Sequence, residues 1–202
     1  MTESQDAQPA AILGIETTVE ALVQAMIVWD AENYRHCLQT AEYAAAIAAG
    51  LGIEGVEAEH IRIGALLHDI GKLGVDLSVL RKPSSLDADE LELIQLHPAA
   101  GASILERVLP PAVVECAAAH HEQPDGRGYP NGLAEPDIPL GALICRVADV
   151  LDSLTTEQTY RSAVSIDEAL AELRDGAGTR YSAAVVDALV RLIETQQLRP
   201  AA

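Results

Sequence analysis

The chain has 202 residues, with 13 Lys and Arg against 31 Asp and Glu, and a formal net charge of −18. That length fits one domain able to bury a core without disulfides, and that charge repels long polyanions, which excludes duplex nucleic acid as a partner. Three widely separated cysteines without CxxC spacing, Cys37, Cys116 and Cys145, no basic leader and no membrane-length apolar run point to a soluble, cytoplasmic chain that does not bind a membrane.

Alanine and leucine are abundant, phenylalanine is absent and β-branched alternation is scarce, so the helical period organises the chain. A first helix is expected from Thr17 to about Gly50, its apolar stripe formed by Leu22, Val23, Met26, Ile27, Tyr34, Leu38, Ala41 and Ala45, with Gly50-Leu51-Gly52 as the stop. A second runs from about Val56 through Ile61, Ile63 and Leu67, with Gly71 and Gly74 as terminators, and places His68 and Asp69 near its C-terminal end. Asp87 and Glu90 form a capping box, after which Leu91, Leu93, Ile94 and Leu96 turn inward until Pro98 interrupts, leaving His97 at the end. Helices Ala99 to Leu109 and Ala112 to His121 are separated by Pro110-Pro111, and His120 and His121 close the second. The Gly- and Pro-rich stretch from Glu122 to Pro139 reads as an ordered surface loop. Helical character resumes from Leu140 to Ser153. Ser165 with Glu168 caps a helix to about Arg174, and Ser182 caps a last one carrying Val186, Leu189 and Ile193. Residues 1–15 and 198–202 read as flexible tails around a domain spanning 16–197.

Six histidines occur, His36, His60, His68, His97, His120 and His121. Glu32 and His36 share a helix face, a spacing that suits either a shared ion or a solvated surface contact. His68–Asp69 follows the apolar run Gly64-Ala65-Leu66-Leu67, where a buried carboxylate beside an imidazole is costly without a cation. Two adjacent histidines, His120 and His121, project about 100° apart, which suits two ions better than one, although a surface pair is the plain alternative. Asp149 is equally compatible with a solvent-facing helix position. His60, in Glu57-Ala58-Glu59-His60, reads as exposed and is left out. An imidazole and carboxylate set without thiolates suits iron or manganese better than structural zinc.

The motifs HDIGK at His68 to Lys72, HHE at His120 to Glu122 and DGRGYP at Asp125 to Pro130 resemble the HD-GYP family of cyclic-di-GMP phosphodiesterases. KPSSL at Lys82 to Leu86, HPAAGASIL at His97 to Leu105 and the run Ile138 to Thr155 extend the resemblance, which covers about Leu22 to Ile193. It implies an all-α fold of the HD superfamily, a helical bundle around a central metal cluster with an irregular GYP loop. It implies His36, His68, Asp69, His97, His120, His121 and Asp149 as metal ligands, with Asp69 bridging ions. Glu32 stands where a three-metal subclass carries an additional ligand, so three divalent ions are expected, or two without it. The implied reaction is hydrolysis of cyclic-di-GMP to pGpG or GMP by metal-activated water, with Asp69 and Lys72 catalytic and Lys72 also contacting substrate phosphate.

In the GYP loop, Gly126 and Gly128 are expected to adopt conformations strained for other residues, and Tyr129 and Pro130 to form a stiff apolar edge. Asp125, Arg127 and Tyr129 border the site implied by the resemblance, and the loop is also a surface for a protein partner. The sequence departs from the family where Gln158 and Thr159 replace an Arg-Pro pair, leaving Arg161 as the following cation, so Gln158 and Arg161 are the substrate-binding candidates there. Two alternatives follow: a hydrolase of another cyclic dinucleotide or nucleotide phosphoester, and a catalytically weak receptor or interaction module.

Overall fold

The structure is a computed structural model that describes residues 7–82, 84–157 and 162–198. Its regular elements there are helical: α1 (Ala7–Trp29), α2 (Ala31–Gly50), α3 (Gly55–Leu67), a 3-10 turn (Ile70–Gly74), α4 (Leu77–Leu80), α5 (Ala88–Gln95), α6 (His97–Leu105), α7 (Pro111–Ala119), α8 (Leu140–Thr155), α9 (Ile166–Asp175) and α10 (Ala183–Glu194). Strand pairing among the described residues is confined to two isolated bridges, Asp125 with Ala134 and Ala177 with Tyr181. The all-α expectation holds. Among the described residues, no helix is long and apolar enough to cross a membrane.

The single helix expected over Thr17 to Gly50 is two. Asp30 leaves helical geometry at φ −156°, ψ 99°, and its carboxylate accepts from the Glu32 and Asn33 amides at 3.0 and 3.4 Å, an N-cap that restarts the chain as α2. The periodicity hid this break because both halves carry apolar residues in step. α1 also starts at Ala7, inside the stretch assigned to the N-terminal tail.

Pro98 opens α6 in its first turn, where a missing amide hydrogen costs nothing, instead of ending α5. His97 therefore begins α6 and is buried, while Leu91, Leu93 and Leu96 of the α5 segment are exposed, against the inward orientation expected for them. α6 stops at Leu105 and α7 spans Pro111–Ala119, each shorter than expected, and His120 is the C-cap of α7. The boxes Asp87/Glu90 and Ser165/Glu168 form as expected. Ser182 holds the N-cap position of α10 without a side-chain capping bond.

Gly71 and Gly74 do not end α3; they lie in the 3-10 turn that follows it. Gly71 is there for space, since a Cβ would stand 2.0 Å from the His97 carbonyl oxygen. That close approach packs the HD turn against the start of α6.

Two buried clusters flank the turn. Tyr43 and Ile47 of α2, Ile144 and Leu151 of α8, Leu173 of α9 and Leu189 of α10 form one. Met26, Leu67, Ile70, Leu105 and Val113 form the other, under α1, α3, α6 and α7. Each such side chain stabilises the fold by roughly 1.5–3 kcal/mol. With Leu67 and Ile70 fully buried on either side, His68 and Asp69 have no freedom to turn outward.

Candidate metal centre

The site is assembled from helix ends. His68 follows the last residue of α3, His97 opens α6, His120 and His121 follow α7, and His36 and Asp149 project from α2 and α8. His68, Asp69, His97 and His120 are all buried. Donor atoms of His36, His68 and Asp69 lie within 4.8 Å of one another, and so do those of His97, His120 and His121. The rings of His68 and His120 join the two groups, with centroids 4.8 Å apart.

Three histidines are oriented by one local device. The Nδ1 atoms of His68, His97 and His120 each lie 2.7 Å from the carbonyl oxygen three residues earlier, of Ala65, Ile94 and Ala117. A carbonyl only accepts, so each Nδ1 carries the hydrogen and each Nε2 presents a lone pair to the centre. His97 Nε2 and His120 Nε2 are then 3.1 Å apart with lone pairs opposed. His97 Nε2 stands 3.3 Å from one Asp69 carboxylate oxygen, and His68 Nε2 stands 3.5 Å from the other. Opposed lone pairs and a carboxylate at these distances repel unless a cation lies between them, so the donor set fits divalent metal ions.

Electrostatics agree with the geometry. Burial pushes the His68 and His120 pKa values down, and that of His121 to about 3, which keeps these rings neutral as metal ligands require. Burial opposes the Asp69 charge, but the Lys72 ammonium beside it holds its carboxyl well below the usual range. Asp149 is likewise depressed, its burial outweighed by His36. Burial also opposes charge on Lys72, yet the Asp69 carboxylate, 2.5 Å from its Nζ, raises it to about 12.

His36 is held from both sides. Its Nδ1 lies 2.6 Å from Asp152 Oδ2 and its Nε2 3.1 Å from Asp149 Oδ1. Burial lowers its pKa, but the two carboxylates override this and carry it to about 10. Asp152, 2% exposed, is a residue of the site that motif reasoning missed. Its signal is the i, i+3 spacing from Asp149, which puts both carboxylates on one face of α8. Asp149 faces the centre, not bulk solvent, and His60 lies outside both donor groups.

Glu32 is exposed and belongs to neither donor group, but it lines the cavity of about 530 Å³ that opens over His36, Asp69, Lys72, His121 and Asp149. In the GYP loop, Tyr129 stacks on His121 with centroids 4.6 Å apart and planes 22° apart. Glu122 is fully buried and accepts from the Asn131 and Leu133 amides at 2.7 and 2.9 Å, which ties the loop to the histidine pair. Gly126 adopts φ +75° as expected. Gly128 instead answers a close approach, because a Cβ there would stand 2.4 Å from Glu122 Cα. Asp125 and Pro130 are exposed, and Arg127, 85% exposed, has an ion-pair contact with Asp125 alone among the described residues, at 3.8 Å. Gln158, Thr159 and Arg161 lie outside the described residues.

Similarity to known proteins bears on this centre. A cyclic di-GMP phosphodiesterase of Thermotoga maritima is 37% identical over 166 residues, covering 81% of this chain and 45% of the relative. A 3'3'-cGAMP-specific phosphodiesterase of Vibrio cholerae is 41% identical over 145 residues, 71% of this chain and 32% of the relative. The cyclic di-GMP phosphodiesterase response regulator RpfG of Xanthomonas campestris is 36% identical over 178 residues, 86% and 47%. The chain thus spans less than half the length of these relatives. Among solved structures, Bd1817, a HDG"Y"P protein from Bdellovibrio bacteriovorus, superposes with a TM-score of 0.66 at 25% identity, over 80% of this chain and 52% of that one. A cyclic GMP-AMP specific phosphodiesterase of Vibrio cholerae shares the fold at a TM-score of 0.68 and 20% identity, over 89% and 49%. The family model described as HD domain matches residues 12–185, which takes in every histidine of the centre, and the chain is a member of the HD-domain family, similar to its HD-GYP proteins.

Proposed function

We propose that residues 16–197 form a cytoplasmic, metal-dependent phosphodiesterase domain that hydrolyses cyclic-di-GMP to pGpG or GMP. The observation that carries this reading is the set of opposed Nε2 and carboxylate donors gathered around Asp69, which itself lines an open cavity with His36, His121 and Asp149; a cation between the donors would relieve their repulsion. His36, His68, Asp69, His97, His120, His121 and Asp149 would hold the ions, with Asp69 between the two donor groups. Glu32, at the cavity wall four residues before His36, would add a ligand for a third. Absence of thiolates favours iron or manganese. Such ions, when bound, supply Lewis acidity that activates water and stabilises charge on phosphate oxygens.

The chain's own residues do the rest. Lys72, protonated and directed at Asp69, offers a positive charge to a phosphodiester entering the cavity. Tyr129 closes one side of His121 with an apolar face, which limits water there. Gln158 and Arg161 would complete the substrate contacts. Exposed Arg127 makes the tip of the GYP loop a surface for a protein partner.

A second reading has a specific observation behind it: one relative is named for 3'3'-cGAMP at 41% identity. Product analysis on a nucleotide panel separates the two. Cleavage of cyclic-di-GMP supports the first reading, cleavage of another cyclic dinucleotide with cyclic-di-GMP intact supports the second, and calorimetric binding without turnover makes the domain a receptor.

A further inference from the structure

The cavity wall carries two arginines that the chemistry above leaves unused. Among the described residues, Arg35, Lys72 and Arg81 are the three Lys and Arg residues that line it, in a chain with 13 basic against 31 acidic residues. Lys72, paired with Asp69, already serves the reacting phosphodiester in the reading above. Arg35 is exposed, precedes His36 on α2, and its guanidinium has no hydrogen bond or ion pair with a described residue. Arg81, the C-cap of α4, is 54% exposed and donates from Nη2 to Asp30 Oδ1 at 2.9 Å.

The Arg81 contact is not an ordinary surface pair. Asp30 is largely buried, and the same Oδ1 accepts the Glu32 and Asn33 amides that start α2. It therefore braces Arg81 against the helix that carries Arg35 and His36. One donor holds the guanidinium, and its remaining N–H groups stay available to an anion in bidentate geometry. Around them the wall is acidic, with Asp30, Glu32 and Glu157, so an isolated anion gains little unless these two cations meet it directly.

A cyclic dinucleotide carries two phosphodiesters on one ring, and only one can lie at the metal centre during cleavage. We propose that Arg35 and Arg81 form the anchor for the second phosphate, the one not being cleaved. The inference rests on the cyclic-dinucleotide reading of the site. It makes the two arginines determinants of selection for cyclic dinucleotides over substrates with a single phosphodiester.

The test compares wild type, Arg35→Gln, Arg81→Gln, Arg81→Lys and the double Gln variant, manganese-loaded, on cyclic-di-GMP and on bis(p-nitrophenyl) phosphate, which has no second phosphate. Calorimetry gives the affinity for cyclic-di-GMP and thermal melts report folding. Losing charge-assisted phosphate bonds should raise KM for cyclic-di-GMP about 10–100-fold in the double variant, at least tenfold more than for the small diester, with kcat little changed and Kd rising in parallel. Arg35→Gln leaves the Asp30 cap intact, so it tests the anchor even if Arg81→Gln lowers stability. An unchanged KM for cyclic-di-GMP in folded variants, or equal losses on both substrates, overturns the anchor alone. A wild type that cleaves the small diester but neither binds nor cleaves cyclic-di-GMP overturns the functional reading and the anchor with it.

Discussion

At the scale of single residues, Asp152 is placed to act on the centre through His36. Its bond to His36 Nδ1 fixes the tautomer and turns Nε2 to the centre, a role that in metal sites is worth about 10–100-fold in affinity. Asp152→Asn keeps the shape but removes the charge and is expected to weaken metal binding by about that factor, read by titrating metal into the chelated protein. An affinity equal to wild type would reduce Asp152 to a packing residue. Glu122 acts on the loop in the same indirect way. Its buried carboxylate receives two loop amides, so Glu122→Ala should cost about 2–4 kcal/mol and speed hydrogen exchange at Asn131 and Leu133. Unchanged protection of those two amides would contradict the staple.

At the scale of elements, the centre depends on where helices stop. Three histidines gain their orientation because each stands where its ring can reach the carbonyl three residues back, and Gly71 lets α6 approach the HD turn. Gly71→Ala forces backbone apart on both sides and should destabilise by about 3 kcal/mol or more, measured by denaturant unfolding, with loss of metal binding; a near-neutral change would rule out the close approach. Much of this was legible in sequence. The capping boxes and the loop followed from local chemistry, and the residues that the fold brings together at the centre are those of the motifs that carry the family resemblance. The break at Asp30 and the start of α6 at His97 did not, because a cap and a first-turn proline look like a neutral residue and a breaker until their partners are seen. The exposed leucines of α5 escaped for a similar reason: periodicity shows an apolar face but not what covers it. Asp152 and Arg81 were hidden because their meaning lies in contacts across 116 and 51 residues of chain.

At the scale of the molecule, the protonation of the cluster sets how stability follows pH in metal-free protein. His68, His120 and His121 titrate lower when folded than the unfolded value of about 6.5, so the unfolded chain takes up protons first and their contribution is lost as pH falls below about 6.5. His36 titrates higher, at about 10, so its contribution is complete below about 6.5 and is lost as pH rises through about 10. Thermal melts of chelated protein should therefore peak near pH 6.5, and saturating metal should flatten the alkaline side by replacing the proton of His36; a peak unmoved by metal would contradict this assignment. In the proposed function, the buried histidines and carboxylates together hold a polynuclear metal centre. The most direct measurement is elemental analysis of protein purified anaerobically without chelator. Two or three iron or manganese ions per chain are expected, falling sharply in Asp69→Ala, and fewer than two ions in folded wild-type protein would contradict a polynuclear centre.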